Sequence, residues 1–354
     1  MEMIHLGKKV LYYLFLILFI ILAQTQLTAA SEKSFPGTEW DTINNPAAVG
    51  WSPEKIELAK EYADSMGSVG GLVIYDGKIL LKWGNINEHG NVHSMRKSLL
   101  SALYGIYSSE GKIDLSSTLG QLGIDDNEPK LSDQEKQARI IDLLKARSGI
   151  YHPATYETEG MMEKRPLRWS HAPDTFWYYN NWDFNVLGTI FEKQTNKKIG
   201  KAFEERIAVP IQMQDFRAES VSYIYGNQSI YPAYPFELTA RDMARFGLLY
   251  LRNGQWQGKQ IIPSEWINES TKAYSDAGKG IGYGYLWWVS EGWMLGNKID
   301  DEAYRADGYG GQFIVVFPSR NLVVVNLSNF DKTKIDERKQ FGHLLNLILA
   351  AKEN

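Results

Sequence analysis

A chain of 354 residues is long enough to bury a sizeable core, and a net charge of −4 with no basic patch argues against nucleic-acid binding. The absence of cysteine excludes both a disulfide framework and a thiol nucleophile. The six histidines (His5, His89, His93, His152, His171 and His343) are scattered without metal-ligand spacing.

The N-terminus reads as a targeting segment. Lys8-Lys9 supply a positive start, residues 10–23 are apolar and uncharged, and Thr28-Ala29-Ala30 offers small residues for cleavage after Ala30. Residues 1–30 are therefore expected to be a signal peptide, and residues 31–354 one exported domain, periplasmic or secreted. Left uncleaved, the segment would be a membrane anchor, although the apolar run is short for a span. No cysteine follows it, so bacterial lipid attachment there is excluded.

After an irregular lead-in over 31–50, Ser52-Pro53 marks the start of an amphipathic helix over 53–66, serine as N-cap and proline at the first helical position. Gly71-Leu72-Val73-Ile74-Tyr75, then Asp76-Gly77, then Lys78-Ile79-Leu80-Leu81-Lys82-Trp83 predicts a β-hairpin. A polar loop leads to Ser94-Met95-Arg96-Lys97 and a helix with the apolar stripe Leu99, Ala102, Leu103, Ile106 and Tyr107.

Positions i and i+3 share a helix face, so a serine in the first turn sits beside the lysine amine. A hydroxyl is a poor nucleophile until a base takes its proton, and a desolvated lysine can be that base. The helix dipole favours negative charge developing at this end. This is the Ser-x-x-Lys arrangement of acyl-serine enzymes. Ser52 to Lys55 and Ser109 to Lys112 have the same spacing, but the first is a helix start and the second lies where Gly111 ends a helix. The competing role for Ser94 is a helix cap with a solvated lysine. His93 points to a different face from Ser94 and reads as a packing or loop residue.

Residues 117–280 carry helices and long loops, with helices expected over 133–147 (stopping at Ser148-Gly149), 185–194 and 240–251. Within them, Trp177-Tyr178-Tyr179-Asn180-Asn181-Trp182 offers a Tyr-x-Asn tripeptide in two frames, Tyr178-x-Asn180 or Tyr179-x-Asn181. The phenol can shuttle protons if a cation lowers its pKa, and the amide can orient a neighbour. An aromatic loop packing the helical region would look the same. The chain then returns to strands over 283–289, 313–317 and 322–327, with a Pro318-Ser319-Arg320-Asn321 turn, and closes as a helix over 335–351. The expected fold class is α/β (α+β). An antiparallel sheet, from about 51–93 and 281–354, is flanked by N- and C-terminal helices, with a helical region inserted over about 94–280.

The order and spacing of these motifs resemble the serine β-lactamase family in its broad sense. That family takes in class C β-lactamases, D-alanyl-D-alanine peptidases, family VIII esterases and 6-aminohexanoate oligomer hydrolases. The resemblance covers most of residues 55–350. Lys145-Ala146-Arg147-Ser148-Gly149-Ile150 looks like the family's loop after the second long helix. Thr239-Ala240-Arg241-Asp242-Met243-Ala244-Arg245-Phe246-Gly247 is similar to a further family segment. Aligning on Leu187-Gly188 selects Tyr179 and Asn181. At the place of the family's Lys-Thr-Gly or His-x-Gly stands Ala306-Asp307-Gly308, which keeps the glycine and lacks the cation.

The resemblance implies a β-lactamase/transpeptidase-like fold in which Ser94 is the nucleophile, Lys97 the base and Tyr179 the proton donor. Asn181 would position Lys97 or the substrate. Gly308 would let the strand approach the acyl group, and the Ser94 and Tyr309 N–H groups would form the oxyanion hole. No metal or cofactor is called for. The missing cation points away from β-lactams and D-alanyl peptides, toward a small-molecule ester or amide. Turnover of peptidoglycan or β-lactams, or a non-catalytic envelope binding role, are the alternatives. Trp177, Trp182, Trp287 and Trp288 either line the cleft or pack beneath it.

Overall fold

A computed structural model describes residues 33–299, 301–329 and 337–353; the expected signal peptide lies outside them. Residues 36–354 form one compact unit.

The first helix, α1 (Pro53–Ser65), starts as its sequence dictates, with the Ser52 hydroxyl accepting from the Lys55 N–H and Pro53 at the first position. The hairpin of β1 (Gly70–Tyr75) and β2 (Lys78–Gly84) turns through Asp76 and Gly77, whose φ values of 47° and 78° fit the twist of the flanking strands.

The other sheet strands come from the C-terminal part of the chain. They are β3 (Ser275–Asp276), β4 (Ile281–Tyr283), β5 (Trp288–Ser290), β6 (Tyr304–Gly308), β7 (Gln312–Phe317) and β8 (Leu322–Leu327). Among the described residues these eight strands form one antiparallel sheet, ordered β2-β1-β8-β7-β6-β5-β4-β3. The N-terminal hairpin thus joins the C-terminal strands through the pairing of β1 with β8, as expected.

The central strands are buried on both faces. On one, Val73, Val315 and Val324 join Phe313 and Phe317 in a core with Ile56 and Ala59 of α1 and with Phe341, Leu344, Leu345 and Ile348 of the C-terminal helix. On the other, the helix Ala240–Leu251 lies so close that a Cβ at Gly247 would sit 2.5 Å from Val323 and 2.9 Å from Ile314. The two ends of the domain are clasped by Ser52 N–H to the Ala351 carbonyl and Glu353 N–H to the Gly50 carbonyl, both at 2.9 Å.

Three expected elements differ. The helix read over 133–147 is a short turn (Glu135–Gln137) and one helical stretch (Ile140–Leu144), because Arg139 turns extended and its N–H is capped by the Asp142 carboxylate. The strand read over 283–289 is split into β4 and β5, since residues 284–287 leave the sheet and Leu286 donates to the Leu144 carbonyl. The inserted region is not all helix: besides long loops it holds the strand Glu237–Leu238, paired with Gly90–Asn91 from just before it, and the pair Gln255–Trp256 with Lys259–Gln260. Strand β3 also lies just before residue 281.

Candidate active site

The segment carrying Ser94 begins at a strained residue. His93 adopts φ 47°, a left-handed conformation that costs a non-glycine residue energy, with its N–H held by Asn91 Oδ1 at 2.8 Å. Ser94 lies in a 3₁₀ turn (His93–Met95) that runs directly into α2 (Arg96–Ser109). It is therefore one turn earlier than the helix proper, at the end where backbone N–H groups face outward. Helix α2 is buried from Arg96 to Tyr107, all round rather than on one stripe, and Ser98 Oγ anchors it by donating to the Leu286 carbonyl at 2.7 Å.

Lys97 is almost wholly buried, and its Nζ lies 2.6 Å from Ser94 Oγ. The Nζ also sits 4.8 Å from the ring centres of both Tyr179 and Phe184. Burial, then the Arg96 charge, holds the Lys97 pKa well below that of an ordinary lysine, while Asp307 pulls weakly the other way. Burial of this kind shifts a lysine toward its amine, the form whose nitrogen lone pair can accept a hydroxyl proton.

The two tyrosine frames resolve through alternation in an extended segment. Tyr178 is turned away, its N–H held by the Ala146 carbonyl and its hydroxyl donating to the Met161 carbonyl. Asn180 is the cap of the helix α3 (Asn181–Thr195), accepting from the Trp182 N–H and donating to the Ile150 carbonyl and to Asp183. Tyr179 is left facing Lys97, with the Ser94 hydroxyl as its polar neighbour. Its phenol is not made more acidic, as the shuttle reading required: burial outweighs Ser94 and nearby arginines and pushes its pKa up to about 12. Tyr179 thus keeps its phenolic proton near neutral pH, while Lys97 is shifted toward its amine.

Asn181 does not reach Lys97 through a hydrogen bond. Its amide donates to the Tyr156 carbonyl at 2.5 Å, and its buried Oδ1 has no partner among the described residues. It holds the 155–156 loop beside the site, as Asn185 does by donating to the Thr155 carbonyl.

Gly308 ends β6 against the turn that carries Ser94. A Cβ there would meet the Val92 carbonyl at 2.3 Å, so the close approach requiring glycine is to Val92. Tyr309 follows, half exposed at the mouth, its ring edge-on to His93 at 6.1 Å. His93 in turn shares a hydrogen bond with the Tyr156 hydroxyl, and burial, then the Arg96 charge, lowers its pKa.

Cations absent from the third motif in sequence arrive in space. Asp307 is buried between the Arg305 and Arg338 guanidiniums, each at 3.3 Å. Neither Arg338, from the C-terminal helix, nor Tyr156 carried any signal in the sequence. The tryptophans divide: Trp182 and Trp287 are buried packing residues, and the indole of Trp182 donates to Asp126. Trp288 lies 5.2 Å from Tyr179, with Trp177 edge-on behind it at 6.0 Å, and both are half-buried.

A cavity of about 410 Å³ lined by Gly105, Ile113, Trp266 and Tyr285 sits at the far end of α2, and Ser94, Lys97 and Tyr179 do not border it. Among the described residues, no group of three or more His, Cys, Asp or Glu side chains is placed to hold a metal ion.

A buried lysine against a serine at a helix start, faced by a tyrosine from an inserted helical region, sits in the serine-hydrolase fold of one family. Residues 57–346 match the β-lactamase family, and the chain belongs to it. Among solved structures it is similar to a putative 6-aminohexanoate-dimer hydrolase from Bacillus anthracis, with TM-score 0.65 and 20% identity over 89% of this chain and 88% of that one. A class C β-lactamase gives TM-score 0.62 and 15% identity over 89% and 99% of the two chains. A penicillin-binding protein homologue from Pyrococcus abyssi gives TM-score 0.60 and 16% identity over 85% and 77%. In sequence, an uncharacterised protein from Alkalihalophilus pseudofirmus is 28% identical over 99 residues, 26% of this chain and only 30% of that protein.

Proposed function

We propose that this chain is an exported serine hydrolase that cleaves ester or amide bonds of a small molecule through an acyl-serine intermediate. The observation that carries the reading is the 2.6 Å contact between Ser94 Oγ and the buried, amine-favouring Lys97 Nζ. In this mechanism Ser94 Oγ attacks the carbonyl as its proton passes to Lys97. The tetrahedral oxyanion is received by the N–H groups of Ser94 and Tyr309, an arrangement in which each donor contributes about 2.7–4 kcal/mol to lowering the barrier. Tyr179 donates its phenolic proton to the leaving oxygen or nitrogen and recovers one from Lys97. Water then attacks the acyl carbonyl, giving up a proton along the same route, and Ser94 leaves as the free hydroxyl.

Ester or amide substrates are favoured over β-lactams because Asp307 already occupies Arg305 and Arg338 near the site. Export rests on Lys8-Lys9, the apolar run over 10–23 and Thr28-Ala29-Ala30.

The test is turnover of p-nitrophenyl esters, D-amino-acid amides and linear amide oligomers, with a serine-reactive phosphonate and a fluorescent penicillin as labels. Turnover with a phosphonate adduct on Ser94 is expected, and Ser94→Ala should lose both, by at least ~10⁴-fold in kcat. Retained turnover in that variant overturns the assignment. Penicillin labelling without ester hydrolysis would indicate a D-alanyl peptidase, and silence on all substrates a binding protein.

A further inference from the structure

Arg96, one place before Lys97, carries a buried charge that the mechanism does not use. Arg96 is fully buried, yet among the described residues no carboxylate pairs with it. Buried cations ordinarily sit against acids, since an unpaired charge away from water is costly. Here the guanidinium is caged instead by neutral groups. Its centre lies 4.8 Å from the Tyr234 ring and 5.5 Å from the Tyr156 ring, and one nitrogen donates to Asn185 Oδ1 at 3.0 Å. The remaining two nitrogens are buried without a hydrogen-bond partner among the described residues.

Aromatic faces and an amide oxygen stabilise a cation through quadrupole and dipole without cancelling its charge. A carboxylate would have turned it into a short dipole whose field fades quickly. As built, a full positive charge acts on the next residue of the helix through a dry interior, where screening is weak. We propose that Arg96 is a positioning residue for acyl transfer, a carboxylate-free cation whose field keeps the Lys97 nitrogen ready to accept the Ser94 proton.

Two groups register that field, since Arg96 lowers the pKa of both Lys97 and His93. The other groups bearing on Lys97 are Tyr179 from the loop before α3 and Asp307 from β6, the latter flanked by Arg305 and Arg338. Around Arg96 stand His93, Tyr156, Tyr234 and Asn185. The inference rests on Ser94 and Lys97 acting as proposed above.

The experiment is the pH dependence of kcat/KM on a p-nitrophenyl ester for the wild type and for Arg96→Met, Asn185→Asp and Asn185→Leu. Removing the charge in Arg96→Met lets Lys97 keep its proton to higher pH, so the acid limb should move up by about one pH unit or more. Below the limb that is a loss of about tenfold per unit, with recovery toward the plateau above it. Asn185→Asp keeps Arg96 but gives it a carboxylate at hydrogen-bond distance, and should move the limb in the same direction. Asn185→Leu removes the hydrogen bond without adding charge and should leave the limb in place. A limb unmoved in Asn185→Asp, an equal move in Asn185→Leu, or a loss of activity uniform in pH across the variants overturns the role of Arg96. Should Arg96→Met fail to fold, the two Asn185 variants decide alone. Retained turnover in Ser94→Ala would instead remove the acyl-serine reading itself, so the two failures are distinguishable.

Discussion

At the scale of single residues, the site rests on opposite responses of two side chains to the same burial. Desolvation disfavours charge, so it lowers the Lys97 pKa and raises that of Tyr179, biasing both side chains toward their neutral forms. Amine and phenol together are what a base and an acid for one reaction need. The sign for pH follows. A lowered Lys97 pKa means the amine is populated at lower pH than in an ordinary lysine, so kcat/KM should rise along one acid limb. Tyr179, at about 12, keeps its proton far above neutrality, so no basic limb from it should appear in the working range. A pH profile on a soluble ester checks both arms. Tyr179→Phe should lower the plateau by ~10²–10⁴-fold while the limb stays where Lys97 sets it.

Elements position these side chains through a few caps and close approaches. The loop over 145–150 grips the Tyr178-Tyr179-Asn180 segment from one side: the Ala146 carbonyl takes the Tyr178 N–H, the Ile150 carbonyl the Asn180 amide, and Ser148 donates to Asp183 at 2.6 Å. Asn180 both starts helix α3 and donates to Oδ1 of buried Asp183, whose pKa burial pushes well above the usual carboxylate range. Asn180→Ala should therefore destabilise by about 1–3 kcal/mol, the loss of a cap and of a partner for a buried carboxyl. Chemical denaturation checks the stability, and kcat falling more than KM would show that Tyr179 has lost its register. Which Tyr-x-Asn frame matters was legible only with the resemblance, since both frames have the same composition and spacing. What separates them is the direction each side chain takes from an extended backbone, and that depends on the 145–150 loop contributed from elsewhere in the chain.

At the largest scale, the unit formed by residues 36–354 is closed by pairing a segment near its start with one near its end. The C-terminal helix covers the sheet opposite the helix Ala240–Leu251, with Phe341 stacked on Phe313 at 4.7 Å and fully buried. The same helix sends Arg338 to Asp307 beside the site. Phe341→Ala should cost about 3–5 kcal/mol by leaving a cavity under the sheet, read as a lower Tm. Ester turnover by the remaining folded protein should persist, because Phe341 lies on the face away from Ser94 and Lys97. Among the described residues no helix is long and apolar enough to cross a membrane. The sequence by itself determined the hairpin with its Asp76-Gly77 turn, the helix starting at Ser52-Pro53, the last two strands with the turn between them and the Ser94–Lys97 spacing. Each is set by periodicity or by turn and cap chemistry within a dozen residues. Only the tertiary structure decided that Tyr179 faces Lys97, that Gly308 is needed against Val92, that Asn181 serves the Tyr156 loop and that Arg96 is caged without an acid. Those are contacts between segments tens to hundreds of residues apart, and burial, which sets the charge states of Lys97 and Tyr179, exists only once those segments have packed.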